Sequence, residues 1–384
     1  MYVFPVFVFS SALGKCLRAL VFFGGIGNRR KESLEELHSL TFKGWSDQDT
    51  ESDTLALPSS LKSLSFADGV NHLERMNLPR SLQLLLLGDS LGEAPPTLPE
   101  ELQSLSFGKR FNESVQHVIF PKRLQILNFG DKFSQNLDVI LLPDNLQSLT
   151  FGAHFNQSLE FVTLPMRLVS LTFGARFNQP LERVNLPVQL RSLTLGDEYD
   201  QTLEHVTLPE GLQELALGDL FNQTLDGVTF PQLQSLKLSR RFNENVDAVS
   251  FPSDLRILTF GDYFNQSLEH VSFPPGLQHL AFGDYFNQSL EKVTLPPDLR
   301  SLTLGLAFDQ ALPTWPELKE LTFYGQNYHG IENIQLPSTL QELRCDGLWV
   351  SASCSQRACA WSRACPSCPG LPIGSNITST FIIE

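Results

Sequence analysis

The sequence predicts a mainly β solenoid of about sixteen coils, each of roughly 22 residues, with a stacked parallel sheet and little α-helix. Three observations carry that expectation. A marker of the form LxxLxF or LxxLxL recurs from Leu17 to Leu340, and its first Leu steps by 22 residues between Leu102 and Leu299, with one step of 21 before Leu233. Glycine follows the marker and proline precedes the next one in unit after unit. The segment between them is rich in Asn, Gln, Ser and β-branched residues and once holds Pro180, a composition that disfavours a helix interior.

The units "LRILTFGDYFNQSLEHVSFPPG" and "LQHLAFGDYFNQSLEKVTLPPD", which begin at Leu255 and Leu277, show how closely the pattern is kept. In one register it reads LxxLxFGxxFNQxLExVxLPxx. Outside Leu102 to Leu299 the spacing wanders between 19 and 24, as expected of end units that meet solvent on one side.

Each repeated position has a physical role. Leu149 and Phe151 alternate with Ser148 and Thr150, the period of a short strand with one buried face. Gly152, Gly174, Gly196, Gly218, Gly261 and Gly283 stand where the chain leaves the strand, and a positive φ is expected there. Ser239 and Ala67 replace that glycine, which implies a strained or different turn in their units. Val162 and Leu164 alternate again, so a second short strand per coil is expected, with turns and 3₁₀ pieces between the two. Prolines such as Pro121, Pro165 and Pro274 then set an extended corner where no backbone donor is needed. One coil alone buries too little apolar surface to offset the backbone entropy of ordering it, so neighbouring coils complete one another's core.

Composition narrows the partners. With 42 acidic against 28 basic residues the formal net charge is −14, which argues against a nucleic-acid partner and disfavours a membrane surface. Charged residues are only 18% against 42% hydrophobic, the balance of a folding chain and not of an acidic tail.

The core "FNQ" of "FGARFNQPLERVNLP", with LP before it and LxFG between units, resembles the FNIP repeat, a short variant of the leucine-rich repeat. The likeness runs over residues 17–344. It implies a solenoid that serves as a protein-interaction array; the residues of this chain lead to no expectation of catalysis or of a cofactor. The sequence departs from the family in the residue after FNQ, which is Pro only at Pro180 and elsewhere mostly Ser or Thr.

In such solenoids the exposed sheet is the usual partner surface. Here its outward positions are small and polar, and Gln147, Ser148, Thr150, Ser170, Thr172, Arg191, Ser192 and Thr194 are the candidate binding residues for an unidentified protein. Glu214, Lys237 and His279 interrupt the strip, which weighs against an ice-binding Thr surface, a remote alternative. Asn112, Asn156, Asn178, Asn222, Asn243, Asn265 and Asn287 form a column expected to be a buried hydrogen-bonding ladder between coils. Five of them (Asn112, Asn156, Asn222, Asn265 and Asn287) also lie in NxS or NxT sequons, and Asn376 adds a sixth. Burial would conflict with glycans, so the cytoplasm is favoured over secretion, and a secreted or surface structural or adhesion protein is the alternative.

A second column, from Asp138 and Glu160 to Glu269 and Glu291, is acidic and reads as a solvated edge partly neutralised by Arg183, His205, His270 and Lys292. Single stacked carboxylates suit calcium poorly, because the ion needs six to eight converging oxygens. No nucleophile stands beside a base in a recognisable motif, and Gly24, Gly25 and Gly27 lack a following P-loop Lys, so no enzymatic role is expected. Residues 1–16 are apolar and read as a cap or, without a basic start, a less fitting signal peptide. Residues 345–384 read as a loosely ordered Cys-rich tail; Cys354, Cys359, Cys365 and Cys368 would suffice as four thiolates for a zinc ion, but their crowding leaves little chain to fold round it, so the zinc site is the less favoured alternative.

Overall fold

The computed structural model describes residues 19–23, 37–43, 55–67, 76–89, 97–312, 318–324, 340–346 and 378–382. The apolar segment 1–16, Gly24 to Gly27, Asn376 and the four crowded tail cysteines lie outside the described residues. The chain divides into two compact units, Met1–Tyr199 and Asp200–Glu384.

The first unit holds β1 (Ala19–Phe23), β2 (Ser39–Lys43), β3 (Leu55–Ala56), β4 (Ser63–Phe66), β5 (Met76–Asn77), β6 (Leu84–Leu86), β7 (Ser104–Ser106), β8 (Ile126–Asn128), β9 (Ser148–Thr150), β10 (Ser170–Thr172) and β11 (Ser192–Thr194). All but β3 and β5 pair in parallel, in chain order, into one sheet. The second unit holds β12 (Glu214–Ala216), β13 (Ser235–Lys237), β14 (Ile257–Thr259), β15 (His279–Ala281), β16 (Ser301–Leu304), β17 (Glu320–Phe323), β18 (Glu342–Asp346) and β19 (Thr378–Ile382). There β12 to β18 pair in parallel in chain order. The tail strand β19, which the repeat pattern does not foretell, runs antiparallel to β18.

Register is kept from strand to strand: Leu149 faces Leu171 and Leu171 faces Leu193. The alternation in the sequence is seen directly, since Leu149 and Phe151 are buried while Ser148 and Thr150 are half-exposed. Each strand is only three residues long in the regular part because the chain must turn again at once. One carbonyl serves the entry to the strand: that of Gln125 accepts from the N–H groups of Gln147 and Ser148, at 2.8 and 2.9 Å.

Four expectations are corrected. One parallel strand stands at each of the sixteen markers (β1, β2, β4, β6 and β7 to β18), but complete coils are described without a break only over 97–312, which holds the ten strands β7 to β16, fewer than the expected count of about sixteen coils. The second strand per coil is missing from most of them: β3 with β5 and the bridge of Thr97 with Ile119 are its only traces among the described residues. The reason is local. Val162 gives its N–H to the Leu159 carbonyl at 3.0 Å and Pro165 has none to give, so the return segment keeps its in-and-out alternation while lacking donors for a ladder. Between strands the described residues show single turns instead of 3₁₀ runs, closed by bonds such as Phe155 N–H to Gly152 carbonyl at 3.1 Å and Leu168 N–H to Pro165 carbonyl at 3.0 Å.

The third correction concerns the glycine column. Among the described residues only Gly227, outside that column, has a positive φ, at 77°. The column glycines are needed for closeness: a β-carbon on Gly152 would overlap the carbonyl of Gly130, one coil away. The fourth concerns Ser239, whose turn is not rebuilt. Phe242 still donates to the Ser239 carbonyl at 3.3 Å, and the buried Ser239 hydroxyl donates to the carbonyl of Phe221.

The core is a set of columns. In the first unit Phe107, Phe129, Phe151 and Phe173 stack at 5.6 to 5.7 Å, and beside them Phe111, Phe133, Phe155 and Phe177 stack at 6.0 to 6.2 Å. The two columns meet within a coil, Phe151 to Phe155 at 4.0 Å. Tyr199 continues the second column over Phe177 at 6.1 Å. In the second unit Leu217 and Leu238 take the first-column positions, and aromatic stacking resumes there with Phe260 and Phe282 at 5.2 Å.

Two predictions follow from these contacts. Gly152→Ala should cost about 3–5 kcal/mol because the backbones of two turns must separate, whereas Gly227→Ala, whose β-carbon would meet nothing nearer than Glu204 Cγ at 3.6 Å, should cost about 1–2 kcal/mol through its φ alone. Urea unfolding of the two variants measures the difference. Burial pushes the Tyr199 phenol above its ordinary value, so the folded state favours the neutral form. Its contribution is intact below about pH 10 and is lost as pH rises from there toward the raised folded-state value. Tyr199→Phe should remove that alkaline loss, read as a melting temperature that falls less between about pH 9 and pH 11 than in the parent.

Candidate interaction surface

The eight candidate binding residues come together, six of them on β9, β10 and β11 and Gln147 and Arg191 just ahead of β9 and β11. Ser148, Ser170 and Ser192 are register partners, and so are Thr150, Thr172 and Thr194. All six are half-buried, with Leu149, Leu171 and Leu193 inward beneath them. Gln147 and Arg191 are exposed at the entry edge, and half-buried Val169 lies between them in that column. Adjacent parallel strands are about 4.8 Å apart, so the hydroxyls form a closely spaced grid with no long side chain above it. The grid ends where the strands change. Glu214, Lys237, Ile257 and His279 are exposed at the equivalent positions of the second unit, while Ile126 and Asn128 occupy β8.

The Asn column makes a different arrangement. Each side-chain Oδ1 accepts the backbone N–H of the same-column residue in the next coil: Asn112 from Ser134 at 2.8 Å, Asn156 from Asn178 at 2.9 Å, Asn222 from Asn243 at 2.8 Å, Asn243 from Asn265 at 2.8 Å and Asn265 from Asn287 at 2.9 Å. Asn287 serves Asp309 at 3.0 Å, and Asp200 serves Asn222 at 2.9 Å. The neighbouring glutamines add a second donor, as Gln179 does to Asn156 at 3.0 Å and Gln288 to Asn265 at 3.0 Å. These residues are not buried as expected: Asn112, Asn156, Asn222, Asn243 and Asn265 are exposed, and Asn178 and Asn287 are half-exposed. The turn lies on the surface, and the side chains lie along it.

Sequence reasoning missed the partner of that column. Two residues after the Asn, the side-chain oxygen of Ser158, Thr202, Thr224 or Ser267 accepts the N–H two residues further on, at 3.1 to 3.3 Å. Asn136 and Asn245 make the same bond at 2.6 Å. The only sequence signal was the predominance of Ser, Thr and Asn at this position, broken only by Pro180 and Ala311, since those residues shape turns. Both members of each array sequon thus have a structural bond.

The acidic column is solvated. Glu160 takes a hydrogen bond from Arg183 at 3.1 Å and Glu269 one from Lys292 at 2.9 Å. Those bonds hold the Arg183 guanidinium and the Lys292 ammonium above their usual ranges and the Glu269 carboxyl below its own. Among the described residues no group of three or more His, Cys, Asp or Glu is placed to hold a metal ion, and no helix is long and apolar enough to cross a membrane.

The family model of the FNIP repeat matches eight stretches, from 94–132 and 111–154 through 221–263 and 264–307, all but the last overlapping. No curated protein sequence matches. Among solved structures, the chain is similar to CroV588, a circular leucine-rich-repeat protein, at 32% identity over 80% of this chain and 50% of that one, with a TM-score of 0.64. It thus spans about half the length of that protein. TLR13 in its complex with ssRNA13 is similar at 16% identity over 80% of this chain and 52% of that one, with a TM-score of 0.50. YopM of Yersinia enterocolitica WA-314 matches at 20% identity over 82% of this chain and 74% of that one, with a TM-score of 0.46.

The Asn bonds predict a graded response. Asn265→Ala should cost about 0.5–1.5 kcal/mol, the ordinary worth of one hydrogen bond, while Asn265→Asp should be nearly neutral because Asp200 already fills this role. Paired urea titrations of the variants read the difference.

Proposed function

The chain belongs to the FNIP-repeat family, and on that premise we propose that it is a noncatalytic scaffold that binds a protein on the outward face of β9 to β11. The observation that carries this reading is the grid of Ser148, Thr150, Ser170, Thr172, Ser192 and Thr194, held in register and half-open over buried leucines. Short hydroxyl side chains lose little rotamer freedom on contact and both donate and accept, so they suit a closely approaching polypeptide surface. Gln147 and Arg191 supply longer polar arms at one edge. The partner is a protein, since a net charge of −14 opposes a phosphate backbone. Likeness in fold to TLR13 in its complex with ssRNA13, at 16% identity, carries no ligand across.

One observation supports a second reading, a secreted or surface structural protein. The sequon asparagines Asn112, Asn156, Asn222 and Asn265 are exposed, so burial is no obstacle to a glycan at those positions. Their occupancy on the protein isolated from its source, read by peptide mass spectrometry, separates the two: occupied sequons favour export, and empty ones favour the intracellular scaffold.

The face itself is tested by substitution. Thr150, Thr172 and Thr194 changed together to Lys should abolish recovery of the partner from the source cell's lysate with the melting temperature little changed, because all three side chains point outward. Equal recovery by parent and variant would move the binding surface elsewhere.

A further inference from the structure

The return segments of the first unit carry an apolar patch that the repeat does not require. Ile119, Val139, Leu141 and Phe161 are 73%, 69%, 87% and 70% exposed, among the highest values for large apolar side chains in the described residues. Val139 and Leu141 flank the buried Ile140 in an extended stretch, so both point outward. Ile119 occupies the column of Leu141 one coil earlier, and Phe161 the column of Val139 one coil later. The four are therefore contiguous. Elsewhere these columns turn polar, as at Arg183, His205, Thr207 and His270. Four side chains exposed to this degree amount to on the order of 500 Å² of apolar surface, at the upper end of what a monomer leaves open.

We infer that this patch is the self-association surface of the protein, where a second copy of the chain docks across a two-fold axis parallel to the direction in which the coils stack. Charge chooses both the occupant and the axis. The two borders of the patch differ in charge: exposed Asp138 and Glu182 and half-exposed Glu160 stand on one side, Glu160 paired with Arg183, and exposed Lys122, Arg123 and Arg167 stand past the proline on the other, Arg123 paired with Glu101 and Asp144 the one acid among them. A two-fold along the stacking direction reverses the path of the coil and keeps the order of coils. It lays the acidic border of one copy against the basic border of the other, and sets Val139 against the second copy's Leu141. A two-fold along the coil path would set acid against acid. Two such patches bury about 1,000 Å², the lower bound for a specific interface, so the dimer is expected to be weak and to form in the micromolar range.

This surface is independent of the Ser/Thr face, and sedimentation equilibrium on the full chain tests it. The parent should shift with concentration from one chain of 43.0 kDa to twice that mass. Leu141→Asp with Phe161→Glu should hold the chain at one mass at every concentration, with circular dichroism and melting unchanged because both residues are exposed. Asp138→Lys with Glu160→Lys should weaken the dimer at least tenfold, and adding Lys122→Glu and Arg167→Glu should restore it. A parent that stays at one mass throughout, or a dimer that survives the two apolar substitutions, overturns the inference. So does a charge reversal that the compensating pair fails to rescue. The triple Lys variant of the Ser/Thr face should keep the parent's mass profile, so failure of one reading leaves the other standing.

Discussion

The backbones of successive turns lie too close together to admit a β-carbon between them. The carbonyl of Gly130 lies where a β-carbon of Gly152 would have to be, and the same holds for Gly152 and Gly174. Such contact fixes where successive turns meet, so the columns persist even where a coil is one residue shorter: Leu215, Leu236 and Leu258 stay in register across the step of 21 before Leu233. The constant register therefore follows from a steric limit at one point of the coil. The columns of Leu and Phe are its consequence, since identical side chains one coil apart stack with parallel rings, as Phe129 and Phe151 do at 5.7 Å.

Stacking also settles the polar groups. A turn on the surface leaves amides that neither helix nor sheet will satisfy, and this chain satisfies many of them with its own short side chains. Asn243 accepts the amide of Asn265 from the next coil, and Ser267 accepts the amide of Glu269 within its own. An Asn and a Ser two residues apart have the form of a glycan acceptor, and here the form arises from turn chemistry. The acidic column is the electrostatic cost of repetition, since carboxylates at coil spacing repel. Exposed cations relieve it in places, Arg183 beside Glu160 and Lys292 beside Glu269, and at the surface such pairs are worth little individually.

Because the core and the turns consume the constant positions, the capacity to recognise anything lies in the variable ones. The first unit uses them in two ways: small hydroxyls on β9 to β11 and large apolar side chains on the return segments from Ile119 to Phe161. The two surfaces differ in chemistry and stand on different segments of the same coils. One fold thus carries a polar face and an apolar one without any change to what holds it together.

The sequence by itself determined the solenoid, the buried alternation of Leu149 and Phe151 and the in-register parallel pairing, because a strict period of 22 with period-two ends admits few other ways to bury its leucines. It also showed which residues share a column, and so placed Thr150, Thr172 and Thr194 on one face. Only the tertiary structure decided what each column does. Whether glycine is present for its φ or for its missing β-carbon depends on the distance to the next coil, which no local pattern contains. Whether Asn156 is buried depends on where the turn lies relative to solvent, and whether Val162 and Leu164 form a strand depends on donors already spent on Leu159 or absent at Pro165. In each case the deciding quantity is a contact between residues far apart in sequence, and stacking alone creates it.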